Sequence, residues 1–212
     1  MTLKCTAFAS CLLLFCLQSS CALTSKADAQ APRYFSPEQA SKPSPAAAFK
    51  TLELRLGQVA SASHLDERIS YRLSGSEVGF YDNQRWTEIP EAYLRRALER
   101  DLFEQRGVQR IVTGAAPTLD VELTAFEELR GKPMKARVTL TFSLRDERRS
   151  LLERSLKLER EVTQQAGADP AQRLAATLSE ALADAVATVG AQVVEQLQNA
   201  KPAPTPAVSV AP

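Results

Sequence analysis

The sequence predicts an α+β fold, of the broad α/β class: a single compact domain in which an antiparallel sheet of four or more strands packs against two helices. Two observations carry this prediction. Apolar and polar residues alternate in several separate segments, which is the pattern of strands with one buried face. Two longer segments repeat apolar residues every three or four positions, which is the pattern of amphipathic helices. Helices then cover the apolar side of the sheet.

The predicted strands are the segments with period-two alternation. A first strand covers 52–56. A second covers 68–73 and is followed by the turn sequence SGSE and a return arm at 78–81, as in a β-hairpin. The later alternating segments predict three more strands, at 119–124, 136–144 and 156–162.

A distinctive constellation surrounds the first predicted helix. Phe80 and Tyr81 lie on the return arm, and the polar sequence DNQ that follows predicts a turn. Trp86, the only tryptophan, then precedes a helix that begins at Pro90 and ends at Gly107. Trp86 can anchor the junction between sheet and helix. The alternative is that Phe80, Tyr81 and Trp86 bind a partner.

The second helix is predicted over 170–198. In the sequence DPAQ, Asp169 can cap the helix, Pro170 suits its first position, and Gln172 completes a capping box. The helix is rich in alanine, and Gly190 within it permits the close approach of a neighbour. Its apolar stripe predicts packing on the sheet, with self-association as the alternative.

The N-terminal residues predict a targeting signal. Residues 1–20 contain one charged residue, Lys4, and an apolar core at 7–17 of about 11 residues, the length found in signal peptides and too short to span a membrane. All four cysteines lie within the first 21 residues, at Cys5, Cys11, Cys16 and Cys21. The folded part of the chain therefore has no disulfide, no thiolate metal ligand and no cysteine nucleophile.

This leader resembles a bacterial lipoprotein signal, which implies that Cys21 is the lipidated first residue of the mature chain. Gln18 occupies the position where such signals usually carry leucine. The alternative is a conventional signal peptide that is cut nearby and leaves Cys21 free or discarded. Ala22, at the sorting position, favours delivery to the outer membrane, and acyl chains such as palmitate would suffice for stable attachment.

Composition divides the rest of the chain. Prolines concentrate in 31–50 and in the tail KPAPTPAVSVAP, which predicts a flexible lipid-anchored linker at 21–50, a domain at 51–198 and a disordered tail at 199–212. Lys and Arg number 26, and Asp and Glu number 25. Because Lys4 is lost with the signal peptide, the mature chain is neutral, which argues against a nucleic-acid partner.

The sequence offers no convincing catalytic or metal site, and we predict no cofactor. His64, the only histidine, lies in a polar stretch and is expected in a surface loop. Asp120 and Glu122 share one strand face, the spacing of a carboxylate pair, but a solvated, salt-bridged face explains them better. We therefore expect a protein that is not an enzyme.

The order of these elements resembles the ABC-type transport auxiliary lipoprotein family, the PqiC-like group associated with MCE-domain lipid transporters. The resemblance covers about 21–198, from the leader and an early strand at RYFSPE to the second helix. It is carried by Tyr71, Tyr81, Trp86, Pro90, Leu94 and Leu98. It implies a non-catalytic envelope lipoprotein that works with an ABC permease, an ATPase and a periplasmic MCE protein in lipid transport.

By this resemblance, the chain would dock an MCE assembly at the periplasmic face of the outer membrane and support membrane integrity. A homo-oligomer that matches a ring-like partner would fit this role. The leading alternative is an outer-membrane lipoprotein that regulates cell-wall synthesis or envelope assembly through protein contacts. A third alternative, a periplasmic hydrolase, would depend on Asp120, Glu122 or His64.

Overall fold

A computed structural model of the chain describes residues 31–37, 52–147, 149–163 and 166–200. The predicted signal peptide, Cys21, most of the predicted linker and residues 201–212 of the tail lie outside these ranges. The described residues form one mixed sheet of eight strands, with two α-helices against one of its faces. The predicted α+β fold is confirmed.

The strands and helices follow one another in a mixed α and β order. In chain order they are β1 (Arg33–Phe35), β2 (Glu53–Ser61), β3 (Arg68–Arg72), β4 (Val78–Trp86), α1 (Pro90–Glu99), a π-helical turn (Arg100–Gln105), β5 (Gln109–Arg110), β6 (Thr118–Leu129), β7 (Lys135–Arg145), β8 (Ser150–Glu161) and α2 (Pro170–Ala200). Each alternating segment noted in the sequence lies wholly or largely within one of these strands.

The long strand β6 is the centre of the sheet. On one edge it pairs antiparallel with β7, and β7 pairs antiparallel with β8. On its other edge, the first half of β6 pairs parallel with β2 and its last residues pair parallel with β3. β3 pairs antiparallel with β4, and the short strands β1 and β5 lie parallel to β4 and β2.

The sheet is thus mixed, where the sequence predicted an antiparallel one. Period-two alternation reports that one face of a strand is buried, and it carries no information about the direction of the neighbouring strands. The connection between β4 and β6 contains α1, which provides the long crossover that parallel pairing of β6 with β2 and β3 requires.

The sheet also takes strand residues from two segments that the alternation pattern did not assign to it, although the family resemblance included an early strand at RYFSPE. β1 comes from the segment 21–50 that we predicted as linker, and it pairs with Gln84 to Trp86 of β4. The predicted turn at DNQ is wrong, because β4 continues through it. Pairing with β1 on one side and with Arg68 of β3 on the other holds these polar residues in an extended strand.

The core lies between the sheet and the helices. α1 begins at Pro90, as predicted, and the helical backbone continues through the π-helical turn to Gly107, whose φ of 69° ends it. Its buried side chains Leu94, Leu98 and Leu102 face apolar residues of β2 and β6. The opposite face of the sheet has no helix among the described residues and is polar, as the alternation predicts.

The helix α2 packs along β7 and β8. Its apolar stripe therefore packs on the sheet, as predicted, and does not need the alternative of self-association to be buried. It is the one described helix long and apolar enough to cross a membrane, but its apolar stripe is buried against the sheet. Asp169 caps it, since its carboxylate accepts a hydrogen bond from Ala171 N at 3.1 Å. Arg33 of β1 forms an ion pair with the same carboxylate.

A partly buried ion pair between Asp101 and Arg106 lies where the π-helical turn meets α2. Arg106 Nε donates to Asp101 Oδ2 at 2.6 Å, and Arg106 Nη2 donates to the carbonyl oxygen of Ala187 at 2.8 Å. A Cβ atom at Gly190 would collide with the Asp101 carboxylate, so α2 needs glycine at this point. Burial raises the pKa of Asp101, although Arg106 opposes that effect. The close approach predicted at Gly190 is confirmed.

Candidate partner-binding site

The three aromatic residues predicted as a partner-binding set lie on β4 but do not form one surface. Phe80 is in register with Ser70 of β3 and lies on the outer, helix-free face of the sheet. The guanidinium of Arg68 covers its ring at 4.3 Å from the centroid, a cation–π contact. Phe80 is half-buried, so a partner that displaced Arg68 would gain access to the ring.

Tyr81 lies on the helix side of the sheet, in a cluster with Tyr71 and Arg130. The two tyrosine rings meet edge to face with centroids 5.2 Å apart. The Arg130 guanidinium lies over both rings, at 3.3 Å from the Tyr71 centroid and 4.9 Å from that of Tyr81. Gly79 makes room for this cluster, because a Cβ atom there would collide with the Tyr71 ring.

The buried carboxylate of Glu128 holds this cluster together. The Tyr81 hydroxyl donates a hydrogen bond to it, and Arg130 Nε lies 3.6 Å from Glu128 Oε2. Burial and the hydrogen bond to Glu128 raise the pKa of Tyr81. Its hydroxyl therefore stays protonated at neutral pH and remains a donor.

Trp86 belongs to the core. Its side chain is 1% exposed, and its ring lies 4.9 Å from that of Phe126 and 6.4 Å from that of Tyr93, measured between centroids. The Tyr93 hydroxyl in turn accepts a hydrogen bond from Glu88 N at 3.0 Å, which fixes the chain where α1 begins. Trp86 thus anchors the junction of sheet and helix, and Phe80 and Tyr81 remain as candidate partner contacts on opposite faces of β4.

The candidate catalytic residues do not converge. Asp120 Oδ1 accepts a hydrogen bond from Gln58 N at 2.7 Å, and Asp120 Oδ2 pairs with Arg145 at 2.8 Å. Glu122 is exposed on the same strand face, opposite Thr141. His64 lies in the connection between β2 and β3 and is half-buried. Among the described residues, no group of three or more His, Cys, Asp or Glu side chains could hold a metal ion.

Sequence reasoning missed the most buried carboxylate of the outer face. Glu127 is 0% exposed and pairs with Arg72, at 3.0 Å from Nε to Oε1, and with Arg137. The register of β6 and β7 shifts between Leu123 and Ala125, and this irregularity moves Glu127 to the outer face and Phe126 into the core. The adjacent apolar residues Ala125 and Phe126 are the sequence signal of this change.

Two open grooves lie on opposite faces of the sheet. One, of about 850 Å³, runs beside β1, with Tyr34 and Phe35 on one wall and alanines of α2, such as Ala176 and Ala183, on the other. The second, of about 640 Å³, lies on the outer face over Thr141, Ser143 and Ser155. Charged residues also line the first groove, among them Arg100, Arg160, Glu180 and Asp184.

The fold and these surfaces define a protein of the α+β class with one covered and one open sheet face. The same fold occurs in a Xanthomonas campestris protein of known crystal structure, with 21% identity, a TM-score of 0.66 and coverage of 79% of this chain and 97% of that one. A second, uncharacterized protein of known structure gives 16% identity, a TM-score of 0.62 and coverage of 77% and 99%. No curated protein matches the chain.

The family model of the ABC-type transport auxiliary lipoprotein component matches residues 35–190. The chain therefore belongs to this family, as its sequence features predicted. Family membership makes it an auxiliary lipoprotein component of an ABC-type transport system, and a lipoprotein of this kind is attached to a membrane of the cell envelope.

Proposed function

We propose that this chain is a non-catalytic subunit of an ABC transporter that moves lipid through a periplasmic MCE assembly. The observation that carries the proposal is the family match, which spans β2 to β8, α1 and most of α2. The permease and ATPase of the system would supply the energy, and this chain would hold the MCE assembly at the outer membrane and so support membrane integrity.

Attachment to the outer membrane would be through lipid on Cys21. The folded domain begins at Arg33 of β1, so only the residues between Cys21 and Arg33 separate the lipid from the sheet. Twelve extended residues reach about 40 Å. The domain would therefore work close to the membrane surface, and an MCE assembly would have to approach to within that distance.

The β3–β4 hairpin is the docking surface that we favour. Leu73 beside its turn is 44% exposed, and Phe80 lies under the Arg68 guanidinium, which also pairs with Asp66. Apolar and aromatic side chains next to an arginine are the composition common at the centre of protein interfaces. Tyr81 would act from the helix side, where it stabilises the hairpin through Glu128.

Affinity capture tests the proposal. The tagged full chain would be captured from detergent-solubilised membranes, and the retained proteins identified by mass spectrometry. We expect an MCE protein together with its permease and ATPase. Capture of cell-wall synthases or assembly factors without an MCE protein would contradict the proposal and favour the alternative role.

Substitutions in the hairpin locate the surface. Leu73→Asp and Phe80→Ala should each reduce the recovered MCE protein at least severalfold, because each removes apolar contact area. Val112→Asp is the matched control, since Val112 is 76% exposed and lies outside the hairpin, in the loop before β6. Equal recovery with all three variants would place the docking surface elsewhere.

Membrane attachment has a separate test. Cys21→Ser removes the thiol that would carry the lipid, and we expect this variant to lose signal-peptide cleavage and lipid labelling with radioactive palmitate. Cys16→Ser is the matched control and should behave as the native chain does. Normal labelling of Cys21→Ser would contradict lipidation at this residue.

A further inference from the structure

The strand β8 has a free edge. It pairs with β7 on one side only, and no strand within the described ranges pairs with its other edge. The other terminal strands of the sheet, β1 and β5, have three and two residues, whereas β8 has twelve. A long strand edge with unpaired N–H and C=O groups is a template for pairing with another chain.

The side chains of β8 divide between the two faces of the sheet. Leu152, Leu156 and Leu158 pair with buried residues of β7 and lie on the helix side, where they contact the core but remain partly exposed. Glu153 and Lys157 lie on the outer face and are exposed. A strand added at this edge would bury the remaining leucine surface only if it also carried apolar residues on its helix side.

A second copy of β8 meets this requirement at Leu152 and Leu158, while its Arg154 would lie opposite Leu156. Two β8 strands related by a twofold axis through Ser155 would run antiparallel from Ser150 to Arg160, with both helix layers on the same side of a continuous sheet. Leu152 would then lie opposite Leu158 of the other copy, and Glu153 opposite Lys157, and each pair would occur twice. Opposite charges and apolar pairs that face each other directly stabilise an antiparallel pair.

Neighbouring registers are unfavourable. A neighbouring register that keeps both helix layers on the same side must differ from this one by two residues. A shift of one residue would place the helix-side residues of one copy opposite the outer-face residues of the other. A shift of one copy by two residues in one direction would place Arg154 opposite Arg154. The same shift in the other direction would place Glu153 opposite Glu159, and a further two would place Lys157 opposite Lys157. Like charges directly opposite each other destabilise a strand pair.

We infer that the chain forms a dimer in which the β8 strands of two copies pair antiparallel about Ser155, joining the two sheets into one. The inference rests on the free edge, the leucine positions and the charge order along β8. It is independent of the proposed function, because it needs neither an MCE partner nor lipid on Cys21.

Charge exchange across the twofold axis is the test. Sedimentation equilibrium of the full chain in detergent should give a dimer. Glu153→Lys and Lys157→Glu should each weaken dimerisation roughly tenfold, because two attractive pairs become repulsive. The double variant Glu153→Lys/Lys157→Glu should restore dimerisation, because it re-forms both pairs with their signs exchanged. Lys132→Glu, in the loop between β6 and β7, is the control and should leave the dimer unchanged.

A cysteine at the axis tests the register itself. Paired residues of antiparallel strands have Cα atoms about 4.5 to 5.5 Å apart, which is within disulfide range. Ser155→Cys should therefore give a covalent dimer on mild oxidation, whereas Glu195→Cys, exposed on α2, should not. A monomer without a cross-link at Ser155→Cys would overturn the inference. An assembly that is insensitive to the charge variants would also overturn it, since it must use another surface.

Discussion

At the residue scale, Gly190 controls how closely α2 approaches the π-helical turn. Gly190→Ala should lower the free energy of unfolding by about 1 to 3 kcal/mol, because the new methyl group forces Asp101 away from Arg106. This cost outweighs the gain of about 1 kcal/mol that alanine normally gives inside a helix. Urea denaturation of the full chain measures the change.

Gly131→Ala is the matched control. Gly131 lies in the loop between β6 and β7, and the nearest atom to a Cβ built there is the carbonyl oxygen of Pro133, at 3.6 Å. This variant should unfold with the native midpoint. If both variants behaved alike, the close approach at Gly190 would not limit stability.

A second prediction concerns Trp86. Trp86→Ala should lower the free energy of unfolding by about 3 to 5 kcal/mol, because it leaves a cavity between Phe126 and Tyr93. Tyr34→Ala is the control for loss of an aromatic side chain, since Tyr34 is 59% exposed, and it should change stability little. A small effect of Trp86→Ala would contradict the role of Trp86 as the anchor of the junction between sheet and helix.

At the scale of elements, the start of α2 depends on charge. The hydrogen bond from Arg33 and those from backbone N–H groups hold the pKa of Asp169 below its usual value. A carboxyl with a depressed folded pKa stabilises the protein above its unfolded pKa of 3.8, and this contribution is lost as pH falls through the folded pKa. Asp169 therefore stabilises α2 at neutral pH.

Asp169→Asn tests this dependence, because asparagine keeps a capping side chain and removes the charge. The variant should have a lower urea midpoint than the native chain at pH 7, and the difference should shrink steadily toward acid pH. Asp82→Asn, at an exposed position of β4, should give no such difference. A difference for Asp169→Asn that persisted unchanged in acid would rule out the charge as its cause.

The elements also show where sequence reasoning succeeds. Both helix starts, at Pro90 and after Asp169, were predicted correctly because the local chemistry of the first turn decides them. Leu119 to Leu123 were assigned to the correct face, but the assignment fails beyond Leu123, where the register shifts. A bulge depends on the partner strand as well as on its own residues, so the burial of Glu127 could not be read from β6 alone.

At the scale of the whole molecule, strand order and partner surfaces depend on contacts between distant segments. The sequence could not predict that β1 closes on β4, because three residues give no periodic pattern. It also grouped Phe80 with Trp86, because a regular pleat places residues six apart on one face, but the irregular pairing of β4 with β3 puts them on opposite faces. The family resemblance was visible because it depends on the order of elements, which the chain preserves.

The sheet should show graded protection from hydrogen exchange. Amides of β7, which pairs with long strands on both sides, should exchange most slowly, and those of the short edge strands β1 and β5 fastest among the strands. Exchange followed by mass spectrometry on peptides from the full chain would measure the order. Protection of β1 equal to that of β7 would contradict it.

The position of β1 has a mechanical consequence. Any force applied to the residues before Arg33 enters the domain through three strand residues and the ion pair between Arg33 and Asp169. These contacts are few beside the long ladder of β6 and β7. Under tension, β1 should therefore peel away first and lengthen the tether, while the central sheet stays folded and returns to its original state when the load is released.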